Sequence, residues 1–545
     1  MRARVLPVAL VAVLVTGCTG SSADEPEASA PASEDSARTA APAEPLTLLP
    51  GGDAVDLALG VSGALFESAP VVVTAREDDR PGLLLAASAA VGLGVPLLVE
   101  GSDDALSDEL DRLGAGTVLA VGEADGGAAG DGPDVIRVPA TPTAVAEATD
   151  LSLAEADPVP DDGALDAVAG LDRDEPAALV PDGEEPADGD DVDRVPSVRP
   201  GEARGETVVL VGDGDEAVGA VATARAAGAQ VVVLEAADPR ASEAARAALS
   251  DAGTGSVIAL GAELAAEEGL NWKLETAASG TELPGGGQLL FPGKMLVALY
   301  GHPGTASLGV MGEQPVEAAV QRAREHAAWY EPLAGGRAVV PAFEIITTVA
   351  SEFPGADGNY SAEADIEVIR PWVEAAEEAG LYVVLDLQPG RTDFVTQAER
   401  YRSLLELPHV GLALDPEWRL APDQVHLTQI GSVGVEEVNR VVAWLADLTR
   451  EARLPQKLLV LHQFRLDMLP GRELLDTSRD ELAVLVHADG QGSQGDKQAT
   501  WRALHQEAPP VWWGWKNFYD EDAPMLTPEQ TMEQVRPAPD LVSYQ

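Results

Sequence analysis

Short apolar runs alternate with stretches of helical spacing along most of this 545-residue chain. Between 46 and 123 the spacing predicts helices over Asp56–Phe66, Pro81–Val91 and Ala105–Leu113, with strands over Pro70–Thr74, Pro96–Val99 and Thr117–Val121. Short Val/Leu strands separated by helices imply a parallel sheet covered on both faces. A weaker copy covers 206–264, with strands at Val208–Val211, Val231–Leu234 and Ser256–Leu260. Eight further runs fill 294–545: Met295–Tyr300, Ala338–Phe343, Leu381–Leu385, Val410–Leu414, Lys457–Leu461, Leu482–Val486, Pro510–Gly514 and Leu541–Ser543. Apolar spacing places helices between them at Val316–Tyr330, Ile366–Ala379, Phe394–Leu405, Val435–Arg450, Lys497–Gln506 and Pro528–Val535. Eight units in about 250 residues is the normal size of a (β/α)8 TIM barrel. The predicted class is α/β, a C-terminal barrel preceded by parallel-sheet repeat units.

Each of the eight runs turns polar or aromatic where its strand should end. The endings hold Tyr300 and His302, Glu344, Asp386 and Gln388, then Asp415, Glu417 and Trp418. His462 and Gln463, His487 and Asp489, Trp515 and Lys516, and Tyr544 follow on the later runs. Barrel enzymes draw their catalytic groups from such C-terminal ends. At the fourth, Val410-Gly-Leu-Ala-Leu-Asp415-Pro-Glu417-Trp418, continued strand geometry puts Asp415 and Glu417 on one face and Pro416 on the other. Carboxyl groups in a partly desolvated, aromatic-lined cup have their pKa values pushed apart, leaving one as an acid. That is glycosidase chemistry. The candidate catalytic groups are Glu417, Asp415, Asp386, Glu344 and Asp489. Trp418, Trp515, Tyr544, Tyr300, Gln388, Gln463 and Lys516 are the candidate substrate contacts.

Composition separates the two halves. All nine Trp, seven Tyr and seven His lie at or after Trp272, and Phe66 alone among the Phe precedes it. A formal charge of −56, with no Lys before Lys273, excludes a nucleic-acid partner, whose phosphates require clustered cations. Seventeen Asp/Glu against four Arg over 151–206 point to a solvated stretch, so 124–205 is expected to be an acidic linker or insertion and 265–293 a second linker. Gly212, Gly214 and Ala217 follow a strand with dinucleotide-loop spacing, but Asp213, Asp215 and Glu216 would repel pyrophosphate. No cofactor is expected.

The basic start Met1-Arg-Ala-Arg4 and the apolar run to Val15 make an export signal over 1–17. Val15-Thr-Gly-Cys18 resembles a bacterial lipobox, which implies lipidation of Cys18, a membrane anchor and an extracytoplasmic location facing the cell wall. Residues 18–45, rich in Ala, Ser, Pro and Glu, are expected to be a disordered tether.

Gly51-Gly-Asp53, Ala69-Pro-Val-Val-Val-Thr-Ala75, Val95-Pro-Leu-Leu-Val99 and Val118-Leu-Ala-Val-Gly122 resemble the cell-wall-binding repeat type 2. That resemblance implies attachment to a cell-wall polymer. The Asp415-Pro-Glu417-Trp418 ending resembles the Asp-x-Glu-aromatic signature of family eighteen glycoside hydrolases, the chitinases, and the Asp-x-Glu of family twenty-five lysozymes. The resemblance implies Glu417 as general acid, Asp415 orienting a substrate acetamido group, and Tyr544 and Trp515 supporting the sugar. An amino-sugar polymer such as peptidoglycan is the substrate it implies. Two other readings stay open: a barrel that binds cell-wall glycan without cutting it, and a metal-dependent hydrolase using His302, His462, His487 and one or more of Asp386, Asp415 and Asp489.

Overall fold

A computed structural model describes residues 35–101, 105–127, 132–183, 192–253 and 255–545. The export signal, Cys18 and most of the expected tether lie outside them. No helix among the described residues is long and apolar enough to cross a membrane.

The first region holds two four-stranded parallel sheets. One orders its strands Leu97–Glu100, Val71–Arg76, Thr117–Val121, Asp134–Val138, the other Gln230–Leu234, Val208–Gly212, Val257–Leu260, Leu46–Leu49. The boundaries expected at 46–123 and 206–264 are therefore crossed: Leu46 pairs with Val257, so the chain's first long strand completes the second sheet. Helices Ala54–Leu65 and Val218–Ala226 pack together between the sheets. A Cβ on Gly219 would come within 2.6 Å of Val99 Cγ2, so glycine allows this approach. Thr223 fixes it by donating to Leu97 O at 2.8 Å and accepting from Leu97 N at 3.0 Å.

Two segments read as solvated are built into this region. Within 124–205, Val159, Leu165, Val168, Leu171 and Leu179 are buried in the same core as Val73 and Leu85. The acidic side chains between them face outward, as Asp166 does beside Leu165 and Val168 in helix Ala164–Ala169, so composition masks a periodic apolar face. At the end of the expected tether, Arg38–Thr39 pairs antiparallel with Phe66–Ser68 and Ala37 is buried.

The second region is a closed eight-stranded parallel barrel. Its strands, in order, are Lys294–Gly301, Ala338–Ala350, Tyr382–Leu387, Val410–Leu414, Lys457–His462, Leu482–Ala488, Trp512–Asn517 and Leu541–Tyr544. The first pairs with both the second and the eighth, closing the ring. Small and branched side chains, among them Ala298, Ala342, Val384, Ala413, Val460 and Leu485, fill the interior. Helices cover the outside; Ile366–Ala379, for example, begins where Asp365 accepts from Glu367 N and ends at Gly380 with φ 70°.

The stretch 265–293 is no simple linker. Its helix Leu270–Ala278 buries Trp272 and Lys273. The Lys273 amino group meets Asp480 of the barrel at 2.5 Å, and Arg240 and Arg450 lie over the Trp272 ring at 4.4 and 5.1 Å.

Candidate active site

A cavity of about 660 Å³ opens at the C-terminal ends of the barrel strands. All eight ends reach its wall, through Tyr300, Ile346, Gln388, Asp415 with Glu417 and Trp418, Phe464, Asp489, Lys516 and Gln545. Asp415 and Glu417 meet there by a route other than strand alternation. The fourth strand stops at Leu414, and Asp415 then caps a 3-10 turn over Pro416–Trp418 by accepting from Glu417 N at 3.1 Å. Arg391 and Arg419 are engaged elsewhere, with Gln424 O and Glu437, so neither forms a rim ion pair with these two acids.

Beneath the cavity lies a buried polar cluster. His462 Nδ1 faces Asp489 Oδ2 at 2.8 Å, and His462 Nε2 faces Glu344 Oε1 at 2.7 Å and Asp386 Oδ1 at 3.9 Å. The Tyr300 hydroxyl donates to Asp386 Oδ2 at 2.9 Å, while Lys516 Nζ sits 3.3 Å from the centroid of the same ring. His487 completes the layer, with Nδ1 3.8 Å from Glu344 Oε1 and Nε2 3.1 Å from Ser543 Oγ.

Three expected contacts fall outside the site. Strand side chains alternate, so with Lys516 facing in, Trp515 faces out; it is 1% exposed and packs on Trp501. Tyr544 likewise points outward to the Tyr330 hydroxyl at 2.6 Å, and its neighbour Ser543, which the sequence reading missed, takes the inward position opposite Lys516. Gln463 is buried against Arg472 and the Arg465 carbonyl. Gln388 does line the cavity, accepting from Ala350 N at 2.9 Å. His302 bonds to Ile346 O at 2.7 Å, so the trio His302, His462 and His487 is not assembled. The donor atoms that do converge, all within 4.8 Å of one another, belong to Glu344, His462 and His487.

No family model and no curated protein matches the chain. Among solved structures, Cwp6 from Clostridium difficile is similar with a TM-score of 0.29 and 14% identity, over 62% of this chain and 67% of that one. A mutant of the cellobiohydrolase Cel6A from Humicola insolens, in complex with a methyl tetrathio-cellopentoside, follows at TM-score 0.19 and 12% identity, over 45% of this chain and 64% of that one. Likenesses at this level bear on neither fold detail nor activity.

Burial and mutual repulsion split the carboxyl groups into two classes. Burial pushes Glu417 up to about 7, with the charge on Asp489 adding to it and Lys516 and His462 opposing. Burial also lifts Asp386 to about 6 and carries Asp415 well above the carboxylate range, where Asp386, Asp489 and Glu417 reinforce it. Glu344 and Asp489 go the other way. Burial, the largest single influence, disfavours their charge, but His462 and His487 together, joined by Lys516 at Asp489, overcome it and hold both below the ordinary range. His462 in turn keeps its proton well above the usual pH, since Glu344, Asp489 and Asp386 overcome its own burial, whereas burial lowers His487. Near neutral pH the wall thus offers a proton donor, Glu417, opposite an ionised acceptor, Asp489. Such opposed pairs are what acid–base catalysis requires.

Proposed function

We propose that this chain is an exported, cell-wall-associated glycan hydrolase whose barrel cleaves an amino-sugar polymer of the peptidoglycan type. The observation that carries the reading is Glu417, a carboxyl group on the cavity wall with its pKa lifted to about 7. A general acid works best when its pKa lies near the operating pH. In this reading Glu417 protonates the glycosidic oxygen as the C–O bond breaks. Asp415 orients the substrate's acetamido group, whose carbonyl oxygen closes on the anomeric carbon. Asp489, held to His462 at 2.8 Å, supplies negative charge to the developing cation. Water then opens the intermediate and returns a proton to Glu417. Trp418, beside Glu417 on the wall, is the sugar-stacking face in place of Trp515. The parallel-sheet region, with its resemblance to cell-wall-binding repeats, keeps the barrel on its polymer, and a lipid on Cys18 tethers the whole to the membrane.

The test is mass spectrometry of products after incubating the full chain with purified peptidoglycan and with chitin oligosaccharides, beside Glu417→Gln. New reducing ends from the wild type alone support the assignment. Retention of glycan with no cleavage makes the barrel a binding protein instead.

A further inference from the structure

We infer that Glu344, His462 and His487 form a binding site for one divalent transition-metal ion, with zinc the best match to the donors, directly beneath the cavity. The inference is separable from glycan cleavage, since the proposed hydrolysis shares with it only the Asp489–His462 pair.

The donor spacing is that of a coordination shell. His462 Nε2 lies 2.7 Å from Glu344 Oε1 and 3.9 Å from Asp386 Oδ1, and Glu344 Oε1 lies 3.8 Å from His487 Nδ1. A tetrahedral ion bound at about 2.0–2.1 Å sets its donors roughly 3.3 Å apart, so shifts of roughly 0.6 Å or less bring the two Glu344 contacts to that spacing. The three ligand side chains are buried on three different strands, so the barrel itself holds them in place.

Their unused atoms point to a ligand. Asp386 Oδ1 and His487 Nδ1 have no hydrogen-bond partner, and neither does Glu344 Oε2. Orphaned polar atoms are rare in protein interiors, and here four of them, Asp489 Oδ1 included, belong to one cluster. An ion held by Glu344 and by Nδ1 of His487 would engage two of these groups at once.

The outer partners fit the same reading. The far nitrogen of each imidazole is already anchored: His462 Nδ1 by Asp489 at 2.8 Å and His487 Nε2 by Ser543 at 3.1 Å. Each imidazole therefore presents its remaining nitrogen inward, the arrangement that fixes tautomer and orientation in metal sites. Two imidazoles disfavour the hard ions calcium and magnesium, which take oxygen donors, and suit zinc and its neighbours.

The experiment is elemental analysis of the full chain purified without chelator, then stripped and reloaded separately with zinc, cobalt and manganese. About one ion per folded chain is expected, with a zinc-dependent rise in Tm and the visible bands of low-coordinate cobalt. His487→Ala and Glu344→Gln should lose the ion, and Ser543→Ala should bind it roughly 10–100-fold more weakly. Less than about a tenth of an equivalent after all three reloadings, in chain shown to be folded, overturns the site. So does wild-type loading in either folded ligand variant. Should both variants fail to fold, the cobalt spectrum of the wild type decides, and its absence counts against the site.

Discussion

Both halves of this molecule are parallel strands wrapped by helices, yet they treat charge in opposite ways. The first region buries an interior of Ala, Val and Leu and turns nearly all its described acids outward, Glu109 beside Ser62 and Arg112 being buried; Asp213, Asp215 and Glu216 are all exposed. The barrel buries Glu344, Asp386, Asp415, His462, His487 and Asp489 together at one end. An ion pair in a low-dielectric interior interacts several times more strongly than at a wet surface, and it also costs more to desolvate. Open sheets can send their charges to solvent. A closed barrel with polar strand ends cannot, so its interior charges are retained only as a mutually compensating set, and that set sits under a cavity of about 660 Å³. Under the function proposed above, the barrel is the chemical half and the sheets are the supporting half.

The sharpest way to break this division is Glu417→Gln. Cleavage of glycan should fall by about 10²–10⁴-fold with the circular dichroism spectrum unchanged, since only the acid is removed. Next in size is His462→Leu, which leaves Glu344 and Asp489 buried without their counter-ion. Urea unfolding should show a loss of about 3–5 kcal/mol. A loss below about 1 kcal/mol would mean that the cluster is not the compensated set described here. Leu98→Ala, in the core of the first region, should cost about 2–5 kcal/mol of stability while leaving kcat/KM for glycan untouched. A fall in kcat/KM without unfolding would show that the supporting half takes part in the chemistry.

Much of the barrel was legible because each strand is an apolar run with a polar end, and Val410–Leu414, Val316–Tyr330 and Ile366–Ala379 fall where the spacing puts them. The acids were legible for the same reason. What failed were questions of register and of distant pairing. Alternation alone does not say whether Trp515 or Lys516 faces inward; the pairing of Lys516 with Ser543 does. Asp415 and Glu417 share a wall through a capped 3-10 turn that strand periodicity does not contain. The pairing of Leu46 with Val257 joins segments some two hundred positions apart, beyond the reach of local pattern. The 124–205 stretch was hidden by its acids, which outnumber the apolar residues that tie it down. His326 and His409, on a helix and in a loop, are buried with hydrogen bonds to Tyr519 and Val373 O, partners that local pattern does not reveal.

The pH dependence of kcat/KM for glycan hydrolysis by the full chain tests the central claim most directly. A general acid acts only while protonated, and burial lifts Glu417 from its ordinary 4.5 to about 7. The rate should therefore hold below that pH and fall as pH rises through about 7, with this limb missing from the residual activity of Glu417→Gln. A rate that stays flat between about pH 6 and 8, or the same falling limb in the variant, would contradict it.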